Sequence, residues 1–286
     1  MISKLAEASR SPWTVEPRPG SATLIPLMIF PHAGAGAAAY RGLAQEQAEV
    51  FHPAIVRLPG REQRLHEPLF RSMGALVRAL VPALWPRLVA RPVLYGHSMG
   101  ALVAFEVARY ARDVCGAEPA CIVVSGCAAP GTRAPRLLRY QFSDDDLWQS
   151  VCDLNGMPDE IARDQAMRDM LLPALRADFE VCDTYAYSPG VPLTCPVVAF
   201  AGHADPEVAP AEMAGWAEAT TGPFRHCTMP GHHFFNLDPD TGFAARIFTV
   251  HKACKAGDSG RGVLNESETF PPQRGASGRS MITLES

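Results

Sequence analysis

The chain has 286 residues, 47% of them hydrophobic and 20% charged, with a formal net charge of -4, proportions of a globular protein with one large core. This balance, with no basic run, offers no field for nucleic acid, and no apolar stretch reaches the roughly 18 to 20 residues that span a bilayer. The opening MISKLAEASRSPW lacks a signal peptide's apolar core, so the expectation is a soluble, cytoplasmic protein with neither nucleic-acid nor membrane partners.

Residues 1–20 read as a leader and 21–254 as one domain. LIPLMIF (24–30) is the first predicted strand, and the glycine-rich FPHAGAGAAAY leads from it into a predicted helix over 36–50. A strand at FHPAIVR (51–57), a helix over 73–88, a strand at PVLYGH (92–97) and a helix over 99–112 follow. CIVVSG (121–126), CPVVAFAG (195–202) and FRHCTM (224–229) complete the strands, with a helix predicted over 210–220 between the last two. Strands alternating with helices imply an α/β fold: right-handed crossovers and a mostly parallel sheet covered on both faces.

The stretch between CIVVSG and CPVVAFAG is far longer than a crossover needs, and is read as an inserted helical lid over about 131–190. Ser143 is a plausible N-cap followed by Asp144, Asp145 and Asp146. Met167, Leu171, Leu175, Phe179 and Cys182 share one helical stripe, with Pro173 either kinking the helix or starting a second one. Residues 255–286, rich in Gly, Ser, Arg and Pro without periodicity, read as a disordered tail. The eight cysteines, Cys115, Cys121, Cys127, Cys152, Cys182, Cys195, Cys227 and Cys254, form no Cys-x-x-Cys pair. They read as reduced, buried thiols rather than disulfides or zinc ligands.

Gly96-His97-Ser98-Met99-Gly100 fits the Gly-x-Ser-x-Gly elbow, in which a sharp strand-to-helix turn strains the serine backbone and lifts its hydroxyl above the sheet edge. The plainer alternative is a turn with a capping serine; the strand before and the helix after favour the elbow. A serine needs a base and an orienting carboxylate, in the chain order Ser, acid, His for this architecture. Asp205 follows a core strand in GHADPEV, and His233 lies in MPGHHFFN beside Phe234 and Phe235, which could pin its ring. His232 is the neighbouring alternative; consecutive loop residues point apart, so only one serves Ser98, and His233 is favoured partly on the family match below. Asp178 and Asp183 read as solvated helix positions, His226 as structural, and His203 with Asp205 lacks a third metal ligand. The backbone N–H groups of Ala33 and Met99 are the candidate oxyanion donors, with His32 bracing the early loop. Gly-x-Gly-x-x-Gly and Gly-Lys-Ser/Thr nucleotide loops are missing.

These residues resemble the type II thioesterases, discrete α/β hydrolases that accompany nonribosomal peptide and polyketide synthetases. The likeness runs over residues 24–252 and is carried by FPHAGAGAAAY, RLPGREQRL, YGHSMGALVAFEVAR, LLPALRADFEVCDTY, CPVVAFAGHAD and GHHFFN, of which LPGRE and LRADFEVCDTY are the most particular. It implies Ser98 as nucleophile, His233 as general base and then acid, Asp205 as its orienter, and Ala33 and Met99 as oxyanion donors. It also implies hydrolysis of acyl groups from the phosphopantetheine arm of acyl or peptidyl carrier proteins, to clear stalled or misprimed units or to release product in secondary-metabolite (antibiotic) biosynthesis, without metal or cofactor. His232, Asn236 and Ala35 depart from the family pattern and bear on substrate shape. Arg57, Arg61, Arg64, Arg133, Arg136 and Arg139 could form a docking face for an acidic carrier. The rivals are an acyltransferase, a small-molecule esterase of the same fold, and a non-catalytic carrier-binding module.

Overall fold

The computed structural model describes residues 11–17, 24–132 and 137–247, together with the backbone of Gly262–Val263. Its strands are β1 (Thr14–Val15), β2 (Ile25–Phe30), β3 (Phe51–Val56), β4 (Val93–His97), β5 (Cys121–Ser125), β6 (Val197–Gly202), β7 (Phe224–Met229) and β8 (Gly262–Val263). They form one sheet in the order β1-β3-β2-β4-β5-β6-β7-β8, parallel throughout except for β1, which pairs antiparallel with β3. β4, β5 and β6 are buried at every residue, as strands covered on both faces must be, so their sequences are unbroken apolar runs rather than alternating ones.

Among the described residues, the α-helices with both ends defined are α1 (Arg41–Gln47), α2 (Met73–Leu88), α3 (Met99–Cys115), α4 (Asp144–Cys152), α5 (Asp159–Ala162) and α6 (Gln165–Asp183). Helix α2 matches its predicted span. Helix α3 runs three residues beyond the expected end and stops where Gly116 takes a left-handed conformation, φ 68°, the usual way to close the last turn. The segment expected as a helix over 36–50 divides into a 3-10 turn (Ala37–Tyr40) and α1, and Pro210–Ala219 winds as a 3-10 helix instead of an α-helix. There the buried Trp216 indole N–H donates to the Cys127 carbonyl at 2.7 Å, fixing the segment against the end of β5.

The insert between β5 and β6 is helical, comprising α4, α5 and α6. Ser143 caps α4 by accepting from the Asp146 N–H at 3.1 Å. Pro173 lies inside one continuous α6, so it neither ends that helix nor begins another.

Two predicted boundaries meet limits. Thr14–Val15, inside the leader, joins the sheet edge as β1, and Gly262–Val263 of the tail pairs parallel with β7; the rest of 255–286 lies outside the described residues. Cys121, Cys127, Cys195 and Cys227 are buried as expected, whereas Cys152 and Cys182 are only partly buried, Cys115 is exposed at the end of α3, and Cys254 lies outside the described residues.

Candidate active site

Ser98 sits where β4 breaks into α3, at φ 52° and ψ -117°, a region a non-glycine residue occupies only under constraint. The turn is so tight that a Cβ on Gly96 would fall on the Gly100 carbonyl, and one on Gly100 on the Phe30 carbonyl oxygen at the end of β2. The glycines on either side of the serine are therefore a packing requirement, as the motif suggested.

Asp205 follows β6 and His233 follows β7, so both loops leave the same carboxyl edge of the sheet as the Ser98 turn. His233 Nδ1 lies 2.8 and 3.0 Å from the two Asp205 carboxylate oxygens, and both residues are buried. The carboxylate also accepts from the Glu207 N–H at 2.8 Å, which holds it toward the ring. His232 turns away, its Nδ1 3.1 Å from the Ala204 carbonyl oxygen, as expected for adjacent loop residues. Phe234 meets the His233 ring edge-on with centroids 4.9 Å apart.

Two more histidines complete the cluster. His97 is fully buried, bonds Ser125 Oγ through Nδ1 at 2.8 Å and lies 5.0 Å from His233, centroid to centroid. His32 bonds the Tyr40 hydroxyl at 2.8 Å and braces the early loop. Burial first, then the nearness of His233 and Arg61, pushes the His32 pKa down to about 3. Burial also holds His97 well below the ordinary imidazole value, with His233 and His32 adding to the effect. Both are neutral rings at neutral pH.

A cavity of about 250 Å³ opens on Ser98, His233, Ala33 and Met99, with Leu102, Phe179 and Cys182 among its walls. A larger one, about 530 Å³, lies behind the early loop, with Arg61, Met157, Ile161, Met167, Leu171 and Leu175 among its walls. Both have His32, Ala33 and Val151 in their walls. The stripe predicted on the lid helix thus divides, its first three members facing the large cavity and Phe179 and Cys182 the small one. Among the described residues no cluster of His, Cys, Asp and Glu is placed to hold a metal ion, and no helix is long and apolar enough to cross a membrane.

The family model for the thioesterase domain matches residues 25–252. The chain belongs to the thioesterase family. This thioesterase is 36% identical over 227 residues to thioesterase PikA5 of Streptomyces venezuelae, covering 78% of each chain. It is 34% identical over 223 residues to the gramicidin S biosynthesis protein GrsT of Aneurinibacillus migulanus, covering 78% of this chain and 87% of that one. The solved type II thioesterase BorB of the borrelidin biosynthetic cluster superposes with a TM-score of 0.77 at 34% identity, over 84% of this chain and 97% of its own. The parallel sheet expected from the strand and helix rhythm is present, and the α/β-hydrolase architecture implied by the resemblance is the one shared with BorB.

The thioesterase departs from expectation in its arginines and in one lid aspartate. Arg61 and Arg64 are 3% and 4% exposed, too deep to dock a carrier. Arg64 grips Glu67 and the Arg57 carbonyl, Arg57 engages Pro12 and Gln63, and Arg139 makes a two-armed pair with Glu207 at 2.6 and 2.9 Å. Arg133 and Arg136 lie outside the described residues. Asp178 is not a solvated position: it is 5% exposed and paired with Arg61. Sequence reasoning missed this pair because its halves lie 117 residues apart, although the two motifs most particular to the family, LPGRE and LRADFEVCDTY, each contain one of them.

Proposed function

We propose that this thioesterase hydrolyses acyl groups from the phosphopantetheine arm of acyl or peptidyl carrier proteins in secondary-metabolite biosynthesis, through an acyl-enzyme on Ser98. The observation that carries the reading is that His233, paired with Asp205, faces the same cavity as a serine held on a strained elbow. Ser98 Oγ attacks the thioester carbon while His233 takes its proton; Asp205, bonded to Nδ1, fixes the tautomer that leaves Nε2 free to act. The backbone N–H groups of Ala33 and Met99 receive the oxyanion, a contribution typically worth about 3 kcal/mol per donor. His233 then returns the proton to the departing thiol and activates the water that frees the acid. His32 and His97, kept neutral, add no positive charge against the imidazolium that forms on His233.

The small cavity suits the thioester and the end of the pantetheine arm, and the large apolar one suits the acyl chain. No metal or further cofactor enters this scheme, which we place in the cytoplasm with the synthetases whose carriers it would serve. Turnover of acyl-carrier proteins by the wild type and by Ser98→Ala tests it. Free acid from the wild type and a loss of about 10⁶-fold in the variant are expected; acyl transfer to a second thiol, or turnover surviving in Ser98→Ala, would refute it.

A further inference from the structure

Behind the loop that carries Ala33, a core turn and the lid meet in a buried ion pair. Arg61, from the turn after β3, donates through Nη1 and Nη2 to the two oxygens of Asp178 on α6, each at 2.9 Å. Such a buried pair persists only when further hydrogen bonds satisfy its remaining atoms. Here they come from the early loop. The Gly34 N–H donates to Asp178 Oδ2 at 2.8 Å, and Arg61 Nη1 also donates to the Ala35 carbonyl at 3.0 Å.

The effect falls on one peptide group. The His32 carbonyl accepts from the Ala35 N–H at 3.1 Å, and in a planar trans peptide the Ala33 N–H must then point the opposite way. On its N-terminal side the His32 N–H is held by the Tyr40 hydroxyl at 3.3 Å, and on its C-terminal side the Gly34 N–H is held by Asp178. The Ala33 N–H is thus suspended between two anchored peptides at the wall of the Ser98 cavity. One anchor belongs to the core and the other to the lid.

We infer that Arg61 and Asp178 are positioning residues that aim the Ala33 N–H at the oxyanion, so that the donor is in place only while lid helix α6 is seated. This rests on the hydrolase reading above. The ion pair touches no reacting atom; it acts by holding the two peptide neighbours of the donor. Substrate that fills the large cavity presses on the same helix through Leu171 and Leu175, which would couple occupancy of that cavity to the readiness of the donor.

The test replaces the pair by apolar residues of similar volume, Arg61→Met with Asp178→Leu, a change that buried ion pairs often tolerate without loss of stability. Turnover of an acyl-carrier protein is measured together with the affinity of an alkyl boronic acid, whose boron takes Ser98 Oγ as a fourth ligand and places an oxygen in the oxyanion position. The expected result is a folded protein with kcat lowered about 10- to 100-fold, the scale of a misplaced reacting geometry, KM little changed, and boronate affinity lowered in parallel. A merely structural pair would lower kcat only with the folded fraction and leave boronate affinity per folded molecule untouched, and that outcome would overturn the inference. Should the double variant not fold, Arg61→Lys, which keeps the charge and loses the second arm, is read by the same two measurements. Ser98→Ala separates the two levels: activity surviving there removes the hydrolase reading, whereas an inactive Ser98→Ala beside a fully active double variant removes only the role of the pair.

Discussion

Ser98 holds φ 52° at a cost of about 1 to 3 kcal/mol, and the glycines around it are what the surrounding backbone permits. Gly100→Ala would drive a methyl group into the Phe30 carbonyl. Such overpacking is expected to lower stability by about 1 to 3 kcal/mol and to reduce kcat, checked by thermal melts and turnover on one preparation. Asp205→Asn should leave the fold intact and lower kcat by up to about 10⁴-fold, the scale for losing the carboxylate that sets the tautomer; wild-type rates in that variant would move the orienting role elsewhere. The neutral histidines give a signed pH dependence. Unfolded, His32 and His97 would take protons near pH 6.5, while the folded state resists, His32 down to about 3 and His97 well below its ordinary value. Below about pH 6.5 the unfolded chain therefore binds more protons. The stability these neutral rings contribute is full above that pH and lost on acidification, by up to about 1.4 kcal/mol per pH unit for each ring. Urea unfolding between about pH 7 and pH 5 should show the slope, and His32→Gln should flatten it.

At the scale of elements, helix α6 of the insert is amphipathic and lines two chambers with one face. Met167, Leu171 and Leu175 were legible as a stripe because a period near 3.6 residues aligns them. That the stripe parts between two cavities was not legible, since it depends on where the early loop and His32 come up against α6. Leu171 lines the large chamber, so Leu171→Trp should shorten it. Turnover of long acyl chains is expected to fall by about tenfold or more while short ones change little, given the 1 to 3 kcal/mol attached to small size differences in apolar pockets. A chain-length series on the acyl-carrier substrate checks this.

For the whole molecule, the far edge of the sheet is closed by residues ahead of the first predicted strand. β1 pairs with β3, Trp13 packs 6.1 Å from Phe70, centroid to centroid, and Arg64 stacks over Trp13 at 3.8 Å. An edge strand of only two residues is a poor template for wrong pairing. Trp13→Ala should lower stability by roughly 0.5 to 3 kcal/mol with kcat unchanged, because none of these contacts reaches the cavity of Ser98; melting curves and turnover together test both halves.

The sequence by itself determined the parallel sheet, the helical insertion between β5 and β6, and the places of Ser98 and Asp205, and it narrowed the histidine to 232 or 233. Each rests on local regularities: apolar runs of strand length, a glycine-bounded serine, and loops that follow core strands. Only the tertiary structure decided that His233 and not His232 faces Asp205, and that the arginines of RLPGREQRL serve the interior. It also decided that Asp178, polar and on a helix like any solvated residue, lies buried against Arg61. Burial and pairing between residues more than a hundred positions apart are set by how the elements pack, and no local pattern of residues records them.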